Sequence, residues 1–286
     1  MTRDELFAAL KANQVIENQD LTGLDLSGAE MAGAVMTGVN LSGANMTGAD
    51  LTGAVIINSN LNKTDMSEIN AEAAILAGSN LTGAKAGKAN FSRSDLHMIR
   101  AVGAFLKEAD FSQANLEEAD LSSADMTEIR MFKAELRQAD LTGTKLKKAN
   151  LIRTDFQDAV LKDTDLLGTL LVKADFSGAR MSGQSFSGCD LTLARFIKTD
   201  LTNADFTGVL KIDKADFNDA NLKAARFADL NGRYISFRGA KAEQANFYHC
   251  RLEQSDFSNI IASRATFEKF IIRRGFQQGS RGRPIP

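Results

Sequence analysis

Phe132, Ile152 and Val172 lie twenty residues apart, and each is followed by a cation: Lys133, Arg153 and Lys173. Arg130 precedes the first pair, and Arg233 with Tyr234 continue the pattern further along. Cations interleaved with apolar and aromatic side chains are the composition of a recognition surface rather than of a bond-making centre. A second series of Glu117, Glu118, Glu135, Asp155, Asp158 and Asp175 is acidic and follows the same twenty-residue spacing. A formal charge of −2, from 34 Lys and Arg against 36 Asp and Glu, therefore hides two series of opposite sign.

The residue types that perform catalysis are sparse. His97 and His249 are the two histidines, and Cys189 and Cys250 the two cysteines. Their spacing assembles no nucleophile, base and orienting group, and two isolated histidines do not make a zinc site. No glycine-rich stretch followed by Lys and Ser or Thr has phosphate-loop spacing. We expect no enzyme activity, no catalytic residue, no metal and no cofactor.

What must position the two series is legible in residues 41–54, LSGANMTGADLTGA. A large apolar residue recurs every five positions, with a small residue two before it and Asp or Asn one before it. Such a repeat has to be recognised before any local element is assigned. Five fits neither the 3.6-residue period of a helix nor the two-residue period of a strand. It fits a chain that turns a corner every five residues, with the large and small residues inward and the other three outward. Four corners close a square, so residues twenty apart stack.

From about Asp20 to Arg273 these units resemble the pentapeptide repeat family, whose signature is Ala-(Asp/Asn)-Leu-x-x. The resemblance implies an all-β solenoid, a right-handed quadrilateral β-helix, over residues 19–274. About twelve or thirteen coils at roughly 4.8 Å each would make a rod about 60 Å long. It also implies that the recurrent Asp residues serve the backbone at the corners rather than form carboxylate pairs. Relatives often pair through their C-terminal ends, so a homodimer formed there is one implication.

Residues 1–18 precede the repeats. Thr2 and Glu5 read as a capping box, and Leu6, Phe7, Ala9 and Leu10 give a short helix an apolar side, suited to lid the open end of the core. Residues 275–286 read as a disordered tail, with Phe270, Ile272 and Phe276 covering the other end. No basic leader followed by an apolar run and no long apolar span is visible; we expect a cytoplasmic protein that does not bind membranes.

Within the repeats, Ala71 and Ala101 replace the large residue while Ile69 and Ile99 fill the preceding small sites. Leu230 with Gly232 and Ile260 with Ala262 repeat the exchange, which conserves core volume. Cys189 and Cys250 fall at small inward sites of one column, too far apart for a disulfide, and read as free structural thiols. Phe dominates the centres after residue 150, as interior stacks. One extra residue between Phe206 and Ile212 predicts a bulge at Gly208–Lys211.

Sorted by column, the basic side also takes in Arg93, Lys211, Lys214, Arg251, Leu170 and Leu193, and the acidic side is relieved by Arg137, Arg195, Lys198 and Arg238. Two functions follow. One is a scaffold that docks a protein partner, not a small molecule, on the basic and apolar face. The other, by the family's quinolone-resistance branch, is a DNA mimic that modulates gyrase or topoisomerase through the acidic face. Direct nucleic-acid binding by the near-neutral chain is the weakest reading.

Overall fold

The computed structural model describes residues 1–272. The expectations for residues 275–286, and for Arg273, Arg274 and Phe276, lie outside the described residues.

The chain opens with helix α1, Arg3–Lys11. Thr2 Oγ1 accepts from the Glu5 amide at 3.2 Å, and Glu5 Oε2 accepts from the Thr2 amide at 2.7 Å. That reciprocal pair satisfies two amides the helix leaves open. Leu6 and Ala9 are buried and join the core of the first coil.

Beyond it the backbone repeats itself. Strands β1 (Ile16–Glu17), β2 (Val35–Thr37) and β3 (Val55–Ile57) pair in parallel, with Ile16 beside Met36 and Met36 beside Ile56. Elsewhere most rungs are single parallel bridges between residues twenty apart, such as Asn45 to Asp65 and Asn60 to Asn80. Four such ladders run along the rod, one for each five-residue unit of a coil. Strands β4 (Asn231–Arg233) and β5 (Arg251–Glu253) restore a longer pairing near the end.

Each corner is a tight turn. The Ala44 amide donates to the Leu41 carbonyl at 2.9 Å, and Gly43 between them has φ of +66°. That positive φ is what a type II turn needs at its third residue, and glycine supplies it without a Cβ penalty. Along much of the rod charged residues occupy this corner instead, among them Lys133, Arg153 and Lys173 at φ of 58°, 61° and 61°. Where Asp or Asn precedes a centre it caps the corner: Asp65 Oδ1 accepts from the Ser67 amide at 3.1 Å and from its hydroxyl at 2.7 Å. Those aspartates are the corner partners that the repeat predicts.

The core is four columns of stacked inward side chains, two of which are aromatic in the later coils. Phe156, Phe176, Phe196, Phe217, Phe237 and Phe257 stack at 4.8–5.1 Å between centroids. Phe186, Phe206, Phe227, Phe247 and Phe267 form the second column at 4.6–5.0 Å. The columns meet edge to face, as at Phe206 and Phe217 (5.3 Å, 86°), the geometry favoured by opposed ring quadrupoles. Ile69 with Ala71 and Ile99 with Ala101 are all buried, so volume lost at one inward site is returned at the other. Gly232 lies within van der Waals reach of Ile212 and Ile235, and a Cβ there would meet them at 2.8 and 2.7 Å.

Two irregularities share neighbouring coils. The register steps from twenty to twenty-one between Asp190 and Lys211, and the residue squeezed out at this bulge is Leu210, 72% exposed. Two rungs are also absent among the described residues, Lys211 to Asn231 just after the bulge and another one coil before it. Lys145 bridges Asp165 and Ser185 bridges Asp205, but no bridge joins Asp165 to Ser185. Gln184 occupies the small inward site there, and its Nε2 donates to the carbonyls of Thr164 at 2.8 Å and Ser185 at 2.9 Å. The side chain has taken over the carbonyls that the backbone amides of Ser185 and Leu166 use in a regular coil.

Candidate functional site

The basic series is carried by two adjacent columns of one side. Phe132, Ile152 and Val172 sit directly after the buried centres Met131, Leu151 and Leu171, and all three are half-buried. This differs from the expectation of open apolar residues. Coils a strand spacing apart bring the three side chains against one another, so each covers its neighbour. Lys133, Arg153 and Lys173 come next, at the corner. The left-handed backbone turns them out of the rod, and all three are exposed.

The charges of this side divide into paired and unpaired. Arg130 Nε lies 3.0 Å from Asp110 Oδ2, Lys211 Nζ 3.8 Å from Asp190, and Arg233 Nε 3.4 Å from Glu253. Lys133, Arg153 and Lys173 have no ion-pair partner among the described residues. Lys133 Nζ also lies 5.4 Å from the Phe132 ring centroid. Tyr234 is 54% exposed, with Lys214 Nζ 6.0 Å from its ring. Arg233 and Tyr234 share the columns of the patch but lie beyond Leu193 and Lys214, so the centre of the site is Lys133, Arg153 and Lys173.

The acidic side is built differently. Asp155 Oδ1 accepts from the Gln157 amide at 3.0 Å, and its Oδ2 meets Arg137 Nε at 2.7 Å. Asp175 caps Ser177 and meets Arg195 Nη1 at 2.9 Å. Both carboxylates are thus occupied by their own coil and by an arginine of an adjacent one, Arg137 from the coil before and Arg195 from the coil after. Glu118, Glu135 and Asp158 remain exposed, and Glu117 is half-buried.

Titratable groups elsewhere are engaged structurally. Cys250 Sγ donates to the Phe227 carbonyl at 2.8 Å and Cys189 Sγ to the Leu166 carbonyl at 3.1 Å. Thr154 uses its hydroxyl in the same way toward Met131, at 2.7 Å. Burial pushes the Cys250 thiol up to about 11 and raises that of Cys189 as well, the opposite of an activated nucleophile. His97 and His249 each place Nδ1 2.7 Å from an aspartate, Asp95 and Asp229. Among the described residues no three His, Cys, Asp or Glu side chains gather as a metal site.

Sequence reasoning missed Gln184, although a signal existed. The other fully buried small sites carry Ala, Ser, Thr, Cys or a short aliphatic residue, and only here does a long amide occupy one.

The family description "Pentapeptide repeats (8 copies)" matches residues 18–53, 34–70, 74–97, 99–131, 214–259 and 233–268. "Pentapeptide repeat region" matches residues 129–206 between them. The chain belongs to the pentapeptide repeat family. Its β-helix is that family's fold, as the five-residue signature implied. Among solved pentapeptide repeat structures it is similar to HetL, involved in heterocyst differentiation regulation in the cyanobacterium Nostoc. Identity is 22% over 93% of this chain and 95% of that one, with a TM-score of 0.43. It is also similar to QnrB1, a plasmid-mediated fluoroquinolone resistance protein: 16% identity over 68% and 85% of the chains, TM-score 0.29. A pentapeptide repeat protein of the Arabidopsis thaliana thylakoid lumen shares 26% identity over 40% and 65%, with a TM-score of 0.19. No curated protein matches the sequence. No helix among the described residues is long and apolar enough to cross a membrane.

Proposed function

We propose that this pentapeptide repeat rod is a non-enzymatic scaffold that docks a protein partner on the face carrying Lys133, Arg153 and Lys173. The observation that supports it most is that these three cations stand in single file over successive coils, exposed at positive-φ corners and without an ion-pair partner among the described residues. A non-glycine residue held there costs on the order of 1–2 kcal/mol, and corners of the first coils avoid that cost with glycine. Glu118, Asp158 and many other residues share this corner conformation, so it belongs to the repeat, and the support lies in the alignment and exposure of the three cations. The half-buried ladder of Phe132, Ile152 and Val172 beside them supplies apolar contact, and Arg with aromatic neighbours is typical of binding hot spots. Pairing of two copies through the C-terminal coil, where Phe257, Ile260, Phe267 and Phe270 are only partly covered, belongs to the same class of activity.

The DNA-mimic reading draws less support, because Asp155 and Asp175 are neutralised by Arg137 and Arg195 on the same side. The test is a pull-down with the purified chain. Replacing Phe132 and Arg153 together is expected to abolish partner retention with little change in melting temperature. Reversing Glu118 and Asp158 is expected to leave retention intact. Retention that survives the first pair, or a gyrase supercoiling assay inhibited by the wild type and not by the acidic reversals, would overturn the proposal.

A further inference from the structure

A second surface lies around the corner from the basic face, where the missing rung at Asp165 and the bulge occur together. Parting of the coils at Asp165 and Ser185 opens a cavity of about 390 Å³ lined by Asp163, Asp165, Leu167, Gln184 and Ser185. Gln184 is only 5% exposed, and with its nitrogen committed to two carbonyls its Oε1 has no hydrogen-bond partner among the described residues. A buried acceptor left unpaired costs about 1–3 kcal/mol, so the slot calls for a donor. Asp163 is exposed and has no ion-pair partner among the described residues, whereas both oxygens of Asp165 are occupied, Oδ1 by the Leu167 amide at 3.2 Å and Oδ2 by Lys147 at 3.1 Å. The chemistry of the slot is an unmet acceptor, Gln184 Oε1, beside one unpaired carboxylate, Asp163.

A corner built of glycines lies beside the slot. Gly168, Gly188 and Gly208 stack there at φ of 71°, 71° and 74°, joined by the Gly188 amide to the Gly208 carbonyl at 2.8 Å. The glycines themselves add no side chain there, and the corner is bordered by Lys148 Cγ beside Gly168 and by Ser187 Oγ beside Gly208, 3.8 and 3.1 Å from where a Cβ would stand. Leu167 and Leu170 flank Gly168, 50% and 43% exposed, and Leu210 projects from the bulge two residues after Gly208. They are three exposed leucines on neighbouring coils, in a chain whose outward positions are mostly polar.

We infer that this surface binds a partner polypeptide segment in which one Lys or Arg side chain is followed by apolar residues. The cation enters the slot, donates to Gln184 Oε1 and pairs with Asp163. The apolar residues cover the glycine corner against Leu167, Leu170 and Leu210. The charge preference is opposite to that of the Lys133–Arg153–Lys173 face, so the two surfaces take different partner segments and this inference does not rest on the scaffold's basic face.

The probe is an acetylated peptide amide containing one Arg followed by two Leu, titrated into the full chain and read by amide chemical shifts. The expected result is saturable shifts confined to residues 163–170, 183–190 and 208–211. Replacing the peptide's Arg by Glu, or its leucines by Ser, is expected to weaken binding by about tenfold or more. Asp163→Asn and Leu210→Ser, both at exposed side chains, should weaken it similarly with the remaining amide spectrum unchanged. Joint replacement of Phe132 and Arg153 should leave it unaltered, which separates this site from the basic face. Equal binding of the Glu peptide, shifts scattered along the rod, or no saturable shift, as for a slot filled by water alone, would each overturn the inference. So would concentration-dependent self-association of the free chain, abolished by Leu210→Ser, since a second copy would then be the occupant.

Discussion

Gln184 Nε2 donates to the Thr164 carbonyl at 2.8 Å, where a regular coil pairs backbone with backbone. A side chain thus substitutes for a rung of the ladder and leaves its own oxygen unsatisfied.

Gln184→Ala should therefore stabilise the rod. Ala is the residue of the repeat signature at this site, and it would free the Thr164 and Ser185 carbonyls to accept from the backbone. Removing the unmet acceptor is worth about 1–3 kcal/mol. Hydrogen exchange at the amides of Leu166 and Ser185 should slow to the rates of neighbouring coils. A lower denaturation midpoint, or unchanged exchange, would refute this account of the seam.

Ile69→Ala, next to Ala71, should cost about 2–5 kcal/mol, because no neighbour can refill the volume of the buried isoleucine. The same change at the half-buried, outward Ile57 should cost clearly less. Denaturant titration of the two variants compares them directly, and equal losses would contradict the inward and outward assignment.

Gly232→Ala tests the converse. Its Cβ would press on Ile212 and Ile235 at 2.8 and 2.7 Å, and overpacking of this kind costs about 1–3 kcal/mol. Trimming Ile235 to Val in the same chain should recover part of the loss, as expected for residues in contact.

Both thiols should resist a disulfide reagent at pH 8 while the chain is folded and react fully once it is denatured. Burial raises both, Cys250 to about 11, so almost no thiolate is present, and the thiolate is the nucleophile. Rapid reaction of Cys250 in the native state would show that the coil around it opens readily.

Acid should weaken the first coils through their corner caps. The Thr22 hydroxyl and amide hold Asp20 below the ordinary value of 3.8, and the Thr52 hydroxyl and amide do the same for Asp50. A carboxylate depressed in the folded state contributes stability above its unfolded value, and that contribution is lost as pH falls from about 3.8 through the folded value. Removing the hydroxyls by Thr22→Val and Thr52→Val should flatten stability against pH in that window and leave neutral pH less affected.

The five-residue period, the inward and outward sorting, the capping box at Thr2 and the corner role of the aspartates were all legible from residue order. In a solenoid each of these is set by the repeat and its nearest neighbours. For the same reason the phenylalanine stacks and the exchange between Ile69 and Ala71 could be read before any coordinates. The columns of the candidate basic face were likewise countable, since twenty residues return the chain to the same side.

Which members of those columns are free was decided only in three dimensions. Arg130 and Lys133 are equally basic in sequence, but Arg130 lies against Asp110 and Lys133 is turned away from its coil by a positive φ. Phe132 looks exposed by position and is half-buried because Ile152 lies on it one coil away. Gln184 can be seen to break the signature, yet only packing determines that its amide nitrogen finds two carbonyls and its oxygen finds nothing. Repeat geometry is local and periodic, so sequence suffices for it; charge pairing and hydrogen-bond satisfaction depend on which side chains meet across coils, and that is a property of the folded rod.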